Sequence, residues 1–146
     1  ALFESSVFMP DHYAIYHTSL NIIKDNFILG IGPKLFREFC VYDIYFIEGG
    51  CSTSPHNYYI QILLETGLIG LTFIILLLYK IIFNLIKSFI SLKLSKQNIK
   101  VIGRNIAGLV CIFPFIPTGN FFGNWISIMI FFNLGFALQL IVINKK

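Results

Sequence analysis

The chain has 146 residues, of which 56% are hydrophobic and 12% charged, about half the charged share of a soluble domain. So few charges exclude an ordinary soluble domain of this length. The net charge of +4 is gathered beside apolar runs and in no recognisable nucleic-acid module, so nucleic acid is not expected as a partner.

The composition predicts an all-α membrane protein. It would have about three transmembrane helices, plus an extracytoplasmic amphipathic helix and loop in residues 1–57. The chain starts at Ala1 without Met and shows no cleavable signal. Three helices are also few for a membrane catalyst, so a fragment of a larger polytopic protein is expected.

In chain order, the first predicted element is an amphipathic helix over about 11–29. Tyr16, Leu20, Ile23 and Phe27 form one apolar stripe, with His17, Asn21 and Lys24 on the other side. Asp11 after Pro10 suits an N-cap and Gly30 a stop. Such a helix lies along the membrane interface or packs on the spans. His12 falls in its first turn, where free backbone N–H groups favour an anion such as phosphate. A plain surface histidine near a cap is the alternative.

Next comes Gly30-Ile31-Gly32-Pro33-Lys34-Leu35-Phe36-Arg37. No strand precedes these glycines, so a dinucleotide fold does not fit. A tight turn that presents Lys34 and Arg37 near the membrane surface does. Both can contact a diphosphate, Arg bidentately; ordinary interfacial charge is the bland alternative.

Cys40 and Cys51 lie in the same outside segment, where disulfides persist. A bridge between them would contribute about 2–3 kcal/mol by loop entropy; two unpaired thiols are the alternative. Cys111 sits in an apolar span and reads as a small hydrophobe.

The most informative stretch is Ser52-Thr53-Ser54-Pro55-His56-Asn57-Tyr58-Tyr59. Ser54 as cap and Pro55 at the first helical position would put His56 and Asn57 in the first turn of a transmembrane helix. A histidine there can serve as general base. Asn57, Gln61 and Glu65 follow at i+4 intervals as a polar stripe that must face protein or a wet cavity. Glu65 lies about 13–14 Å beyond His56 along a helix, too deep to orient it, so a structural role is expected. His12 and His17 do not share a helix face and the cysteines lack ligand spacing, so neither zinc nor any cofactor is expected. No Ser-His-Asp order or nucleophile elbow stands out.

The expected spans are 58–80, 103–118 and 123–143. The last two lie in the stretch from Asn105 to Asn144, which has no charged residue and no histidine. Pro117-Thr118-Gly119-Asn120 supplies the turn between them. Residues 81–102 form a basic connection. Lys87, Lys93, Lys96 and Lys100 there, Lys80 and Arg104 at its edges, and Lys145 and Lys146 at the end place both regions in the cytoplasm by the positive-inside rule.

Two runs carry a family resemblance. They are Leu20-Asn21-Ile22-Ile23-Lys24-Asp25-Asn26-Phe27-Ile28-Leu29-Gly30-Ile31-Gly32-Pro33, and His56-Asn57-Tyr58-Tyr59-Ile60-Gln61-Ile62-Leu63-Leu64-Glu65-Thr66-Gly67-Leu68-Ile69-Gly70-Leu71. Their order, with Phe113-Pro114-Phe115 and Gly119-Asn120-Phe121-Phe122, resembles the C-terminal portion of the O-antigen ligase and polymerase superfamily. The resemblance implies a metal-independent glycosyltransferase of the bacterial inner membrane, multi-pass, with residues 1–57 periplasmic and the C-terminus cytoplasmic. Its partners would be an undecaprenyl diphosphate-linked glycan, a lipid A–core or other glycan acceptor, and membrane lipids.

By the same resemblance His56 takes the place of the motif histidine, drawing the proton from the acceptor hydroxyl. Arg37, His12, Asn57 and Lys34 become candidate contacts to the diphosphate or sugar, and Cys40, Cys51 and Glu65 structural residues. Many relatives carry an arginine where this chain has His12, so Arg37 or residues elsewhere would supply the charge. An O-antigen or exopolysaccharide polymerase of the same superfamily is the alternative. A transporter or a non-catalytic structural subunit is a further one, but it fits less well because Glu65 alone is ionisable at bilayer depth.

Overall fold

A computed structural model describes residues 10–90, 96–113 and 119–143. Every regular element among them is helical: α1 Pro10–Asp25, α2 Phe36–Phe39, α3 Tyr58–Ile90, α4 Lys96–Cys111 and α5 Asn124–Ile143. The chain divides into two compact units. The first comprises Ala1–Leu71 with Phe115–Phe122, the second Thr72–Pro114 with Gly123–Lys146.

The first unit is built on α1. Ile15, Ile22 and Ile23 of that helix are buried with Phe36, Cys40 and Leu64, and Ile60 and Leu63 pack against them. Each such side chain removed from water contributes roughly 1.5–3 kcal/mol. The buried face differs from the expected stripe. Of Tyr16, Leu20, Ile23 and Phe27, only Ile23 is buried, while Leu20 and Phe27 are 50% and 45% exposed. The face that goes inside carries Ala14, Ile15, Thr18, Ser19 and Ile22. Its small residues admit backbone, and a side chain at Gly50 would collide with Thr18 Oγ1 and crowd the Ala14 carbonyl. Close backbone approach selected this face over the greasier one.

α1 stops at Asp25, short of the expected end at 29. The Asn26 side chain donates to the Ile22 carbonyl at 3.0 Å, taking the acceptor that the next helical N–H would use. The Asn26 carbonyl in turn receives Gly30 N–H at 2.9 Å.

α3 begins one residue after Asn57, so the expected Ser54–Pro55 start is corrected. The Asn57 side-chain oxygen accepts from Tyr59 N–H at 2.9 Å and Ile60 N–H at 3.2 Å, which makes Asn57 the N-cap. His56 precedes the helix with φ 55° and Ser54 is buried.

The expected continuous helix over 58–80 is also broken, at Gly67, whose φ of 65° and ψ of −166° are not helical. The groups freed there find partners in the loop after α1. Phe27 C=O receives Leu68 N–H at 2.9 Å, while Ile31 N–H and Gly32 N–H donate to Leu64 and Glu65 carbonyls at 3.0 and 2.9 Å. Gly30, φ 71°, and Gly67 meet backbone to backbone: a Cβ on Gly30 would lie 2.6 Å from Gly67 N, and one on Gly67 would overlap the Ile28 carbonyl. Glycine is required at both positions for space as well as conformation. The opening turns of α3 thus run beside α1 in the same direction, tied at the lower end by this exchange.

Within the second unit α4 packs on α5. Val101 and Asn105 bury one face of α4, and Ile112 is buried just past its end. Gly108 on that face lets the helices approach, since a side chain there would meet Ala137 Cβ at 3.1 Å. The Arg104 guanidinium lies 5.6 Å from the centre of the Phe136 ring, a cation–π contact.

α3 continues to Ile90 and α4 begins at Lys96, so most of the basic connection expected over 81–102 is helical. Lys80 and Lys87 are no obstacle, because lysine is a good helix former. Among the described residues, α3 is the one helix long and apolar enough to cross a membrane; the apolar part of α5, Asn124–Leu138, is shorter. α4 opens with a polar turn containing Lys96 and Lys100. Of the turn expected at 117–120, Pro117 and Thr118 lie outside the described residues, as do Lys93, Lys145 and Lys146.

Candidate functional site

The site grows from the loop between α2 and α3. Cys40 and Cys51 are joined in a disulfide with Cα atoms 5.4 Å apart, and Cys40 is fully buried. The bridge closes residues 41–50 into a short loop whose return strand of chain is pressed onto α1 at Gly50. Tyr45 secures the same loop to the end of α1, its hydroxyl donating to Asp25 at 2.9 Å. That bond to a carboxylate, aided by burial, raises the Tyr45 pKa above its ordinary value of 10.

From the bridge the chain reaches Ser52 and His56. Ser52 Oγ lies 3.1 Å from His56 Nε2. The left-handed φ of His56 is unusual for a residue with a side chain and costs roughly 1–2 kcal/mol. It is held by the disulfide and Ser52 upstream and by the Asn57 cap downstream. Across from it stands His12, the ring centroids 5.5 Å apart and nearly perpendicular. Tyr16 lies beside His12 with ring centroids 6.1 Å apart. His12 Nδ1 is buried and has no hydrogen-bond partner among the described residues. An orphaned ring nitrogen next to a second imidazole is a place where a substrate hydroxyl, phosphate oxygen or water completes the hydrogen bonding.

Below the histidines, a buried polar ladder descends α3. Gln61 is fully buried and Glu65 1% exposed. The Gln61 amide donates to Glu65 Oε1 at 3.0 Å and Asn120 Oδ1 at 2.8 Å, and its oxygen accepts Phe121 N–H at 2.8 Å. Asn120 also donates to the Thr53 carbonyl at 3.3 Å. The other Glu65 oxygen receives Lys34 N–H at 2.6 Å. Glu65 therefore fastens the Gly30–Lys34 loop, while Gln61 and Asn120 fasten the segment that carries His56.

The candidate residues thus fall into two groups. His12, His56 and Asn57 come together, with His12 and His56 side by side and Asn57 as the cap beneath. Lys34 joins the opposite end of the ladder through its backbone, and its own φ is 66°. Arg37 is exposed on α2, and no hydrogen bond or ion pair joins it to the histidines. Ser52, Gln61 and Asn120 were not singled out as site residues. Gln61 carried a signal, its place in the i+4 polar stripe, whereas Ser52 and Asn120 depend on contacts that local pattern does not encode. Among the described residues no three His, Cys, Asp or Glu side chains cluster to hold a metal.

Among the described residues, fold and site together define an all-helical arrangement with one membrane-length apolar helix, at whose head a histidine pair is pinned by a disulfide loop. The family described as O-antigen ligase matches residues 11–75, the span from α1 to the part of α3 just past the Gly67 break. The matched span contains both of the sequence runs that resemble that superfamily. No curated protein and no solved structure matches the chain.

Proposed function

We propose that the protein is a membrane-embedded glycosyltransferase that moves a glycan from undecaprenyl diphosphate to an acceptor sugar, in the manner of an O-antigen ligase, with His56 as general base. One observation carries the reading. His56, held by Ser52 and facing His12, sits at the head of α3 inside the segment that matches the O-antigen ligase family.

Ser52 contacts Nε2, so His56 can donate Nε2–H to the serine oxygen and keep its Nδ1 lone pair for a substrate proton. In the reaction, Nδ1 takes the proton of the acceptor hydroxyl as that oxygen attacks the anomeric carbon. The glycosidic bond to the carrier breaks and its electron pair leaves with the undecaprenyl diphosphate. His12, through its unpaired Nδ1, contacts the sugar or the departing diphosphate. Lys34, in the loop after α1, and Arg37, on α2, carry positive charge of the kind that a departing diphosphate requires. The apolar run of α3 crosses the bacterial inner membrane, residues 1–57 are periplasmic, and the basic stretch beyond α3 is cytoplasmic.

Complementation tests the reading. In a ligase-null bacterium the wild-type gene should restore the polysaccharide ladder on lipid A–core, and His56→Ala should not, at equal protein level. Restoration in a polymerase-null strain instead would assign the polymerase reaction. Restoration by His56→Ala would remove the catalytic assignment.

A further inference from the structure

The loop that plugs the break in α3 turns its side chains outward. Phe27, Ile28 and Leu29 are 45%, 64% and 74% exposed, although their backbone is locked to α3 by the Leu68-to-Phe27 hydrogen bond and the contact of Gly67 with Ile28. On α3, Leu68 and Ile69 are exposed beside them. Five apolar side chains are thus exposed at the break in α3, whereas the buried polar ladder of Gln61 and Glu65 ends just before it. Exposing such a cluster to water on a rigid backbone is unfavourable, and its neighbour in the chain is the segment with membrane-spanning length and composition.

We propose that Phe27, Ile28 and Leu29, with Leu68 and Ile69, form a wedge seated in the acyl-chain edge of the bilayer that α3 crosses. The inference rests on the reading of α3 as a membrane span. From Asn57 to Gly67 the helix rises by about 15 Å, and α1, which ends just before the wedge, carries His12 at its far end, so the wedge and the histidine pair occupy opposite ends of the first unit.

Photo-crosslinking of the full protein in vesicles of phosphatidylethanolamine and phosphatidylglycerol tests this. Benzoylphenylalanine replaces Ile28, Leu29, Phe73 or His17 one at a time; all four side chains are exposed, and retention of the Cys40–Cys51 bridge reports folding. Phospholipid adducts are expected at positions 28, 29 and 73 and none at 17. Adducts at 73 alone, with protein crosslinks or nothing at 28 and 29, would overturn the wedge while leaving α3 in the membrane. Lipid adducts at 17 as well would show that lipid contact is not particular to the wedge and would overturn it. Their absence at 73 would remove the membrane span itself and the wedge with it. Ile69 provides a second position on α3 should either loop variant lose the bridge.

Discussion

The two units hold together by different means. In the first, the fold depends on backbone meeting backbone: Gly30 against Gly67, Gly50 against α1, three hydrogen bonds exchanged across the break in α3, and a disulfide. Some of its buried polar side chains bond to one another, as in the Gln61–Glu65–Asn120 ladder, while Thr18 Oγ1 and His12 Nδ1 have no partner among the described residues. In the second, α4 and α5 meet through Ala137 and Leu134 at Gly108, and large apolar side chains such as Trp125, Met129 and Phe132 face outward. The first arrangement fixes a few side chains in strained positions, which is what a reacting centre needs. The second is a scaffold whose surface suits a lipid or protein neighbour more than water.

The contrast can be broken or sharpened by substitution. The largest effect is expected from Gly67→Ala, which combines a left-handed φ with overlap on the Ile28 carbonyl; a loss of about 3–4 kcal/mol follows. Thermal unfolding of the detergent-solubilised protein measures it, and a wild-type midpoint would show that the break is not structurally required. Gln61→Leu comes next. It removes the hydrogen bonds of Gln61 to Phe121 N–H, Asn120 Oδ1 and Glu65 Oε1, a destabilisation of about 3 kcal/mol, readable as faster proteolysis of the 119–122 segment. Cys51→Ser removes the loop constraint and should cost about 2–3 kcal/mol, with reductant lowering the wild-type midpoint to match. The smallest effect belongs to the second unit. Gly103 and Gly135 have open space where a side chain would go, so Gly103→Ala and Gly135→Ala should change stability by less than about 1 kcal/mol, and in the favourable direction.

Much of this arrangement was legible from the residues, though unevenly. The apolar run of α3 and the i+4 stripe from Asn57 to Glu65 are local patterns, and both survive in the structure. The Cys40–Cys51 bridge was one of two readings that the residues left open, two unpaired thiols being the other, and the structure forms the bridge. The buried face of α1 was misread because periodicity ranks residues by greasiness, while the burial was decided by where Gly50 could approach Ala14 and Thr18. The break at Gly67 was hidden for a related reason: its cause is Gly30, remote in sequence, and a single glycine inside an apolar run resembles a tolerated one. His56 was recognised from its motif, but its left-handed backbone and its contact with Ser52 follow from the closure of the disulfide loop. Nothing local to His12 announces that it will stand against His56.

In the proposed mechanism the first unit holds His56 as a base. The most direct measurement compares glycan transfer from undecaprenyl diphosphate by purified wild type, His56→Ala and His17→Ala, with the Cys40–Cys51 bridge verified in each. His17 is exposed on α1 and faces away from the pair. The account predicts that His56→Ala loses transfer by at least about 100-fold, in the range of general-base removal, while His17→Ala stays near wild type. Equal transfer by the two variants would contradict it.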